Sequence, residues 1–216
     1  MAELQQTIAA RVVRHLAAGE IVNLGIGIPT LVADLLTAAN GVHLETENGL
    51  LGVGPAPAAD AIDPMLVNAG KQPVTALPGA SYFSSSQSFG LIRGGHITTA
   101  VLGALQVDSH GRIANWALPG RPILGVGGAM DLLVGARRVI VATTHTSRSG
   151  DAKIVEECTA PLSAERAVDV VVTEAATFAV DGDGLVLVEI ADGFTADWVA
   201  DHTDASYSVA DTALRQ

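Results

Sequence analysis

The sequence predicts an α/β protein with a mostly parallel sheet covered by helices and a late antiparallel hairpin. Two observations predict this class. Short apolar, β-branched runs alternate with amphipathic segments of helical length, and the first such run leads through a glycine turn into a helix-like segment. Hydrophobic residues make up 49% of the 216 positions, enough for a sizeable core, so we expect a single domain over residues 1–216.

The sequence of the N-terminal half predicts a strand–turn–helix unit followed by further strands. Apolar side chains recur at every fourth position in residues 4–18, which is typical of an amphipathic helix that ends at Gly19. Residues 30–39 predict a second helix, with its leucines facing inward. Residues 55–73 are rich in Pro, Ala and Asp and predict a surface excursion. The strands predicted in this half are residues 20–24, 42–46, 74–77 and 97–102.

The C-terminal half continues the alternation. A helix beginning at Gly127 and extending to Leu133 is predicted to lead into a strand, and the chain closes with a short helix over residues 195–202. The turn sequence at residues 181–184, DGDG, joins residues 178–180 to the last strand as a hairpin. The strands predicted in this half are residues 139–142, 168–173 and 185–190.

Charge and cysteine content narrow the possible functions. The net charge is -11 and the twelve Lys and Arg residues are scattered, so nucleic-acid binding is not expected. The single cysteine, Cys158, rules out an intrachain disulfide framework and a thiolate metal cluster. The N-terminus lacks the layout of a signal peptide and no apolar run is long enough for a membrane span, so a soluble cytoplasmic protein without membrane contact is predicted.

The most informative motif follows the second predicted strand. Residues 47–55 read ENGLLGVGP, which places the Glu47 carboxylate at the carboxyl end of a strand, where ligands meet open α/β sheets. On spacing alone, the simpler interpretation is a turn at Asn48-Gly49 beside a solvated glutamate.

A second glycine-rich segment precedes the helix predicted to begin near residue 127. Residues 125–131 read GVGGAMD and would present backbone N–H groups at a helix start, which suits an oxyanion or a phosphate. Close packing of the helix on a strand is the equally simple structural interpretation.

Several other classes of site are not supported. Neither glycine segment completes a dinucleotide fingerprint, and no phosphate-binding Walker loop is present. The histidines form no zinc motif, so no metal is expected, and His96 and His145 are interpreted as structural or half-exposed. The serines at residues 84–86 lack the nucleophile-elbow pattern and are interpreted as a loop.

Taken together, these segments resemble the β subunit of family I coenzyme A transferases over nearly the whole chain. The family includes succinyl-CoA:3-oxoacid and acetate/butyrate–acetoacetate CoA transferases. The segments that carry the resemblance are residues 23–29 (NLGIGIP), 47–55 (ENGLLGVGP), 66–71 (LVNAGK), 77–83 (LPGASYF), 92–96 (IRGGH), 114–116 (ANW) and 127–132 (GGAMDL).

The resemblance implies a fold of the CoA transferase (NagB/RpiA-like) type and a set of site residues. The family's nucleophilic glutamate corresponds to Glu47, its active-site asparagine to Asn23, and its oxyanion amides to Gly128 and Ala129. The glycines expected to let the backbone approach CoA are Gly25, Gly27 and Gly127. No cofactor is implied, because the CoA thioester is itself a substrate.

The resemblance also implies a partner and a reaction. A separate α subunit would complete a heterodimer or heterotetramer that moves CoA from succinyl-CoA or acetyl-CoA to a 3-oxoacid such as acetoacetate. A 3-oxoadipate transferase subunit, an acyl-CoA hydrolase and a non-catalytic ligand-sensing module remain alternatives. The chain departs mildly from the family pattern at Thr46, and it also departs at Thr143-Thr144 and at Ser163-Ala164, two differences that bear on the identity of the substrate acid.

Overall fold

A computed structural model describes residues 2–117, 120, 125, 127–211 and 213. The strands, in chain order, are β1 (Ile21–Leu24), β2 (His43–Thr46), β3 (Leu50–Val53), β4 (Ala76–Tyr82), β5 (Thr99–Leu102), β6 (Gln106–Asp108), β7 (Ile113–Ala114), β8 (Arg138–Ala142), β9 (Ile154–Val155), β10 (Val170–Val172), β11 (Ala176–Asp181), β12 (Gly184–Ile190) and β13 (Tyr207–Val209). The helices are α1 (Ala2–Val13), α2 (Ser85–Arg93), α3 (Ala129–Gly135) and α4 (Ala196–Asp201), with 3-10 helices at Ile28–Leu35, Ala38–Asn40 and Ala59–Ala61.

The predicted α/β class is confirmed by a ten-stranded sheet with the order β13-β12-β11-β10-β8-β5-β1-β2-β3-β4. The central strands β10, β8, β5, β1 and β2 are parallel throughout. The predicted late hairpin is the antiparallel pair β11–β12. A second antiparallel meander, β2-β3-β4, and a small sheet, β7-β6-β9, add to the predicted elements.

Each face of the large sheet buries its own apolar cluster. On one face, α1 and the 3-10 helix Ile28–Leu35 pack through Ile8, Val12 and Val32, all fully buried. On the other face, α2 and α3 contribute Ile92 and Leu133. Adjacent residues of a strand point to opposite faces, so the central strands β5, β8 and β10, which are covered on both faces, are largely apolar on both sides.

The helix predicted over residues 30–39 is wrong. The chain instead forms the 3-10 helix Ile28–Leu35 and then a short turn. A 3-10 helix repeats every three residues, and the side chains that face the core follow that spacing. Pro29 and Val32 are buried, whereas Leu31, Leu35 and Leu36, which were predicted to face inward, are each only half-buried.

The loop predicted for the three serines is also wrong, because Ser84 caps helix α2. Its Oγ accepts the N–H of Gln87 at 3.2 Å, and the Gln87 side chain accepts the N–H of Ser84 at 3.0 Å. This reciprocal capping box satisfies two N–H groups that a helix start leaves unpaired. The S-x-x-Q spacing is the sequence signal for this cap.

The remaining predicted elements are confirmed with shifted ends. Helix α1 ends at Val13 instead of residue 18, helix α3 starts two residues later than predicted, and strand β4 extends to Tyr82. The excursion over residues 55–73 lies largely at the surface. Among the described residues, no helix combines the length and apolar character needed to cross a bilayer. In the same part of the chain, no group of His, Cys, Asp and Glu side chains could hold a metal ion.

His145, predicted as structural or half-exposed, is fully buried beyond the end of β8. Its Nδ1 lies 3.0 Å from the Thr173 hydroxyl and its Nε2 lies 2.9 Å from the Thr203 hydroxyl. Burial, with a smaller contribution from the nearby His202, lowers the pKa of His145 from 6.5 to about 4. The neutral ring therefore links the loop after β10 to the loop after α4.

We predict an acid-dependent loss of stability that depends on His145. The unfolded state gains a proton on this ring as the pH falls through 6.5, whereas the folded state resists protonation down to about 4. The free energy of unfolding should therefore fall by up to about 3 kcal/mol across this window. Urea unfolding of wild type and His145→Asn between pH 7 and 4 measures the difference, and parallel curves would contradict the assignment.

Candidate active site

The carboxyl ends of β1 and β5 form a topological switch point. After β1 the chain passes through a 3-10 helix on the α1 face to β2, whereas after β5 it passes through α3 on the opposite face to β8. Adjacent strands whose connections diverge in this way leave a crevice at their carboxyl ends, where ligands of open α/β sheets bind. A cleft of about 480 Å³ lies here.

Glu47 is half-buried and lines this cleft. It directly follows β2, and the tight turn into β3 is closed by the Gly49 N–H, which donates to the Thr46 carbonyl at 2.9 Å. Gly49 has a φ of 117°, and a Cβ there would overlap the Phe83 carbonyl oxygen. The turn interpretation of Asn48-Gly49 is thus correct, and the turn directs Glu47 into the cleft.

The side-chain amide of Asn23 joins two carboxyl groups. Its Nδ2 donates to Glu45 Oε2 at 2.8 Å and to Glu47 Oε2 at 3.2 Å. Asn23 is completely buried on β1, next to β2 in the sheet. Both amide hydrogens are therefore used, while the Oδ1 atom has no hydrogen-bond partner among the described residues.

Two residues of this cluster, Glu45 and Ser88, are absent from the set predicted from the sequence. Glu45 is buried at 3% exposure, and its Oε1 accepts the Ser88 hydroxyl hydrogen at 2.5 Å. Burial raises the pKa of the Glu45 carboxyl, the hydrogen bonds from Ser88 and Asn23 oppose that rise, and the charge of Glu47 adds to it. The available signal is a charged residue inside a predicted strand, two positions before Glu47.

Gly128 and Ala129 lie opposite Glu47, at the start of α3. A Cβ built on Gly128 would lie 3.9 Å from Glu47 Cγ and 3.0 Å from the Phe89 ring. Ala129 is the first residue of α3, where backbone N–H groups lack an intrahelical partner. In the described residues neither of these two N–H groups has a hydrogen-bond acceptor. Among the described residues, no acceptor therefore competes for them with an oxygen atom in the cleft.

The three glycines predicted to approach CoA have different local environments. Gly25 lines the cleft, but its closest contact is β5, since its N–H donates to the Val101 carbonyl at 2.8 Å. Gly127 also lines the cleft and has a φ of 53°. Gly27 has a φ of 99° and precedes the 3-10 helix. The role of these glycines in CoA binding stays a prediction. Val126, within the glycine segment, lies outside the described residues.

Two of the three departures from the family pattern, at Thr143-Thr144 and at Ser163-Ala164, lie one step behind the cleft wall. The Thr143 hydroxyl donates to the carbonyl of Ala104 at 2.9 Å and accepts a hydrogen bond from Lys153 at 3.0 Å. The Ser163 hydroxyl accepts the N–H of Asn115 and donates to its side-chain oxygen at 2.7 Å. Ala104 and Asn115 themselves line the cleft, so both departures can influence its shape.

A family model described as coenzyme A transferase matches residues 5–202. The chain belongs to the coenzyme A transferase family. It is 50% identical to the beta subunit of the acetate CoA-transferase of Escherichia coli K12, over 96% of this chain and 95% of that protein. It is 42% identical to one subunit of a probable succinyl-CoA:3-ketoacid coenzyme A transferase of Bacillus subtilis, over 99% of both.

The fold agrees with solved structures. The acyl-CoA transferase YdiF of Escherichia coli O157:H7 superimposes with a TM-score of 0.78 at 22% identity, over 97% of this chain. The chain spans 42% of that polypeptide. The resemblance of the sequence to CoA transferases is thereby confirmed, as is the predicted type of fold. The relatives' names describe one subunit of a multi-subunit transferase that transfers CoA between an acyl-CoA and an acid.

We predict that Gly128→Ala lowers CoA-transferase turnover by about tenfold or more, because the added methyl would displace either Phe89 or the start of α3 from Glu47. The double variant Gly128→Ala/Phe89→Leu, which relieves this contact, should recover most of the loss. Gly90→Ala is the matched control, since a Cβ there enters open space on α2. Wild-type turnover in Gly128→Ala would contradict a role for this close approach.

Proposed function

We propose that this chain is the Glu47-bearing β subunit of a 3-oxoacid CoA transferase that works through a glutamyl-CoA thioester. The observation that carries the proposal is the position of the Glu47 carboxyl. It lies in the cleft at the switch point, accepts a hydrogen bond from Asn23, and lies opposite the start of α3, where no described residue accepts the N–H groups of Gly128 and Ala129. A nucleophile and groups able to stabilise an oxyanion thus meet in one place.

The first half-reaction exchanges one activated acyl bond for another. A Glu47 carboxylate oxygen attacks the carbonyl carbon of acyl-CoA, and the carbon–sulfur bond breaks. CoA departs as the thiolate, and the acyl group is now joined to Glu47 as a mixed anhydride. The thiolate then attacks the Glu47 side of this anhydride, which forms the glutamyl-CoA thioester and releases the donor acid. The acceptor acid reverses these steps, so the kinetics are ping-pong.

The choice of nucleophile follows from conservation of the thioester energy. An ester on serine would lose that energy, whereas an anhydride or thioester on a glutamate retains it. Each attack creates an oxyanion, and losing one amide donor to such a group typically costs about 3 to 4 kcal/mol. We assign this role to the N–H groups of Gly128 and Ala129, and no cofactor beyond the CoA substrate is needed.

Acetoacetate is the acceptor acid that we propose, with succinyl-CoA or acetyl-CoA as donor. The names of the relatives reported above refer to acetate and to succinyl-CoA with 3-ketoacids, which supports this substrate class. Segments 77–83 and 116–120 resemble acetoacetate-using family members more than 3-oxoadipate-using ones. A 3-oxoadipate transferase is therefore the second candidate, and an acid panel assayed with each donor separates the two.

We predict that Glu47→Gln abolishes transfer without unfolding the chain, because an amide is a far weaker nucleophile than a carboxylate. Incubating the wild-type enzyme with acyl-CoA alone should add CoA to the peptide containing Glu47, as measured by mass spectrometry. Glu157→Gln, at an exposed glutamate away from the cleft, is the matched control and should retain both activity and adduct. Undiminished transfer by Glu47→Gln would remove the assignment of the nucleophile.

CoA release in the absence of an acceptor acid distinguishes the hydrolase alternative. A transferase should release one equivalent of donor acid, keep the CoA as the Glu47 adduct and release no free CoA, whereas a hydrolase would release free CoA continuously. A non-catalytic sensing module would form no adduct at all, even with its α subunit present. The same mass-spectrometry samples therefore separate three functions.

An α subunit should be required for activity. The relatives are named as single subunits. This chain is acidic, and the described part of its cleft has few cationic groups for binding CoA. We predict that the purified chain is inactive and that co-expression with an α subunit restores ping-pong transfer, measured by CoA exchange between two acids. Full activity of the isolated chain would contradict this part of the proposal.

A further inference from the structure

The buried Glu45 has no role in the mechanism described above, yet it is bound directly to the residue that contacts the nucleophile. Its two carboxyl oxygens accept hydrogen bonds from Asn23 Nδ2 at 2.8 Å and from Ser88 Oγ at 2.5 Å. Burying a carboxyl group is unfavourable, and such groups are retained where their hydrogen bonds are satisfied. Glu45 meets that condition, because each of its oxygens has a donor.

The orientation of the Asn23 amide depends on the carboxyl groups beside it. Both N–H bonds are directed at carboxyl oxygens, and the Oδ1 atom has no partner among the described residues. A 180° flip of the amide would bring Oδ1 against those oxygens and lose both hydrogen bonds. Because no described residue donates a hydrogen bond to the buried Oδ1, that atom does not fix the orientation of the amide. The two carboxyl oxygens hold that orientation, since losing their hydrogen bonds would cost free energy.

Only one of these two acceptors stays unchanged during the proposed reaction. Glu47 is converted to an anhydride and then to a thioester, and so loses the charge that makes it a strong acceptor. Glu45 lies on β2 and accepts a hydrogen bond from Ser88 on α2, and it forms no covalent bond in the proposed reaction. It can therefore hold the amide while Glu47 changes.

We propose that Glu45 is a positioning residue, which accepts one N–H of Asn23 and thereby keeps the other N–H directed at the Glu47 carboxyl through the covalent cycle. The inference rests on the proposed function of Glu47. What Glu45 supplies is an acceptor oxygen at a fixed place beside Asn23.

The acceptor role gives different expectations for two substitutions. Glu45→Gln keeps a carbonyl oxygen for Asn23 and offers its amide hydrogens to Ser88, so turnover should stay within about threefold of wild type. Glu45→Met has a similar shape but no such acceptor. Its kcat should fall by about 10- to 100-fold, the effect of one lost charge-assisted or buried hydrogen bond, with little change in KM.

The experiment uses the complete transferase, with this chain co-expressed with its α subunit. Thr99→Val is the matched control, since Thr99 is also buried, on β5 at the other side of β1, and its hydroxyl makes no hydrogen bond in the described structure. It should leave kcat unchanged. Wild-type kcat in Glu45→Met would overturn the proposal, and so would equal losses in Glu45→Gln and Glu45→Met.

A second measurement decides the proposal even if the wild-type complex transfers no CoA. Hydrogen exchange of the Asn23 side-chain amide, followed by NMR, should be slow in wild type and Glu45→Gln and faster in Glu45→Met. Equal exchange in all three proteins would show that Glu45 does not hold the amide. A wild-type complex that fails to transfer CoA to any acid would instead contradict the proposed function.

Discussion

A single side-chain amide organises the catalytic end of this sheet. Asn23 is buried on β1 and donates to one carboxyl group that is covered by α2 and to another that is open to the cleft. Parallel pairing of β1 with β2 brings these groups together, because Asn23 lies opposite Glu45 in the register. Glu47, the proposed nucleophile, is thus oriented from inside the protein, while its carboxyl lines the cleft.

Glycine at a few backbone positions makes this arrangement sterically possible. Gly49 closes the turn after Glu47 against the Phe83 carbonyl, where no Cβ would fit. Gly128 permits α3 to begin close to both Phe89 and Glu47. The surroundings of Glu47 are therefore shaped by two close approaches, and side-chain volume at either point would alter them.

Much of this can be predicted from the sequence, and the failures have physical causes. The parallel strands are local apolar runs and Glu47 lies in a distinctive motif, so both are recognisable. The contact between Glu45 and Ser88 is not, because it joins positions 43 residues apart through the packing of a helix on a sheet. The composition of the serine run suggests a loop, although its spacing to Gln87 is that of a helix cap. The 3-10 helix escapes prediction because its three-residue spacing resembles that of an α-helix over one turn.

The side-by-side placement of Asn23 and Glu45 has a consequence for folding. The two strands that carry them are separated along the chain by the 3-10 segment, so their pairing is not enforced by a tight hairpin. A slip of one residue would turn Glu45 and Glu47 together toward the wrong side of the sheet and leave Asn23 facing hydrocarbon. The buried hydrogen bond between Asn23 and Glu45 thus disfavours a shifted register of β1 and β2. Enzymatic activity would therefore report whether the two strands have paired in the native register.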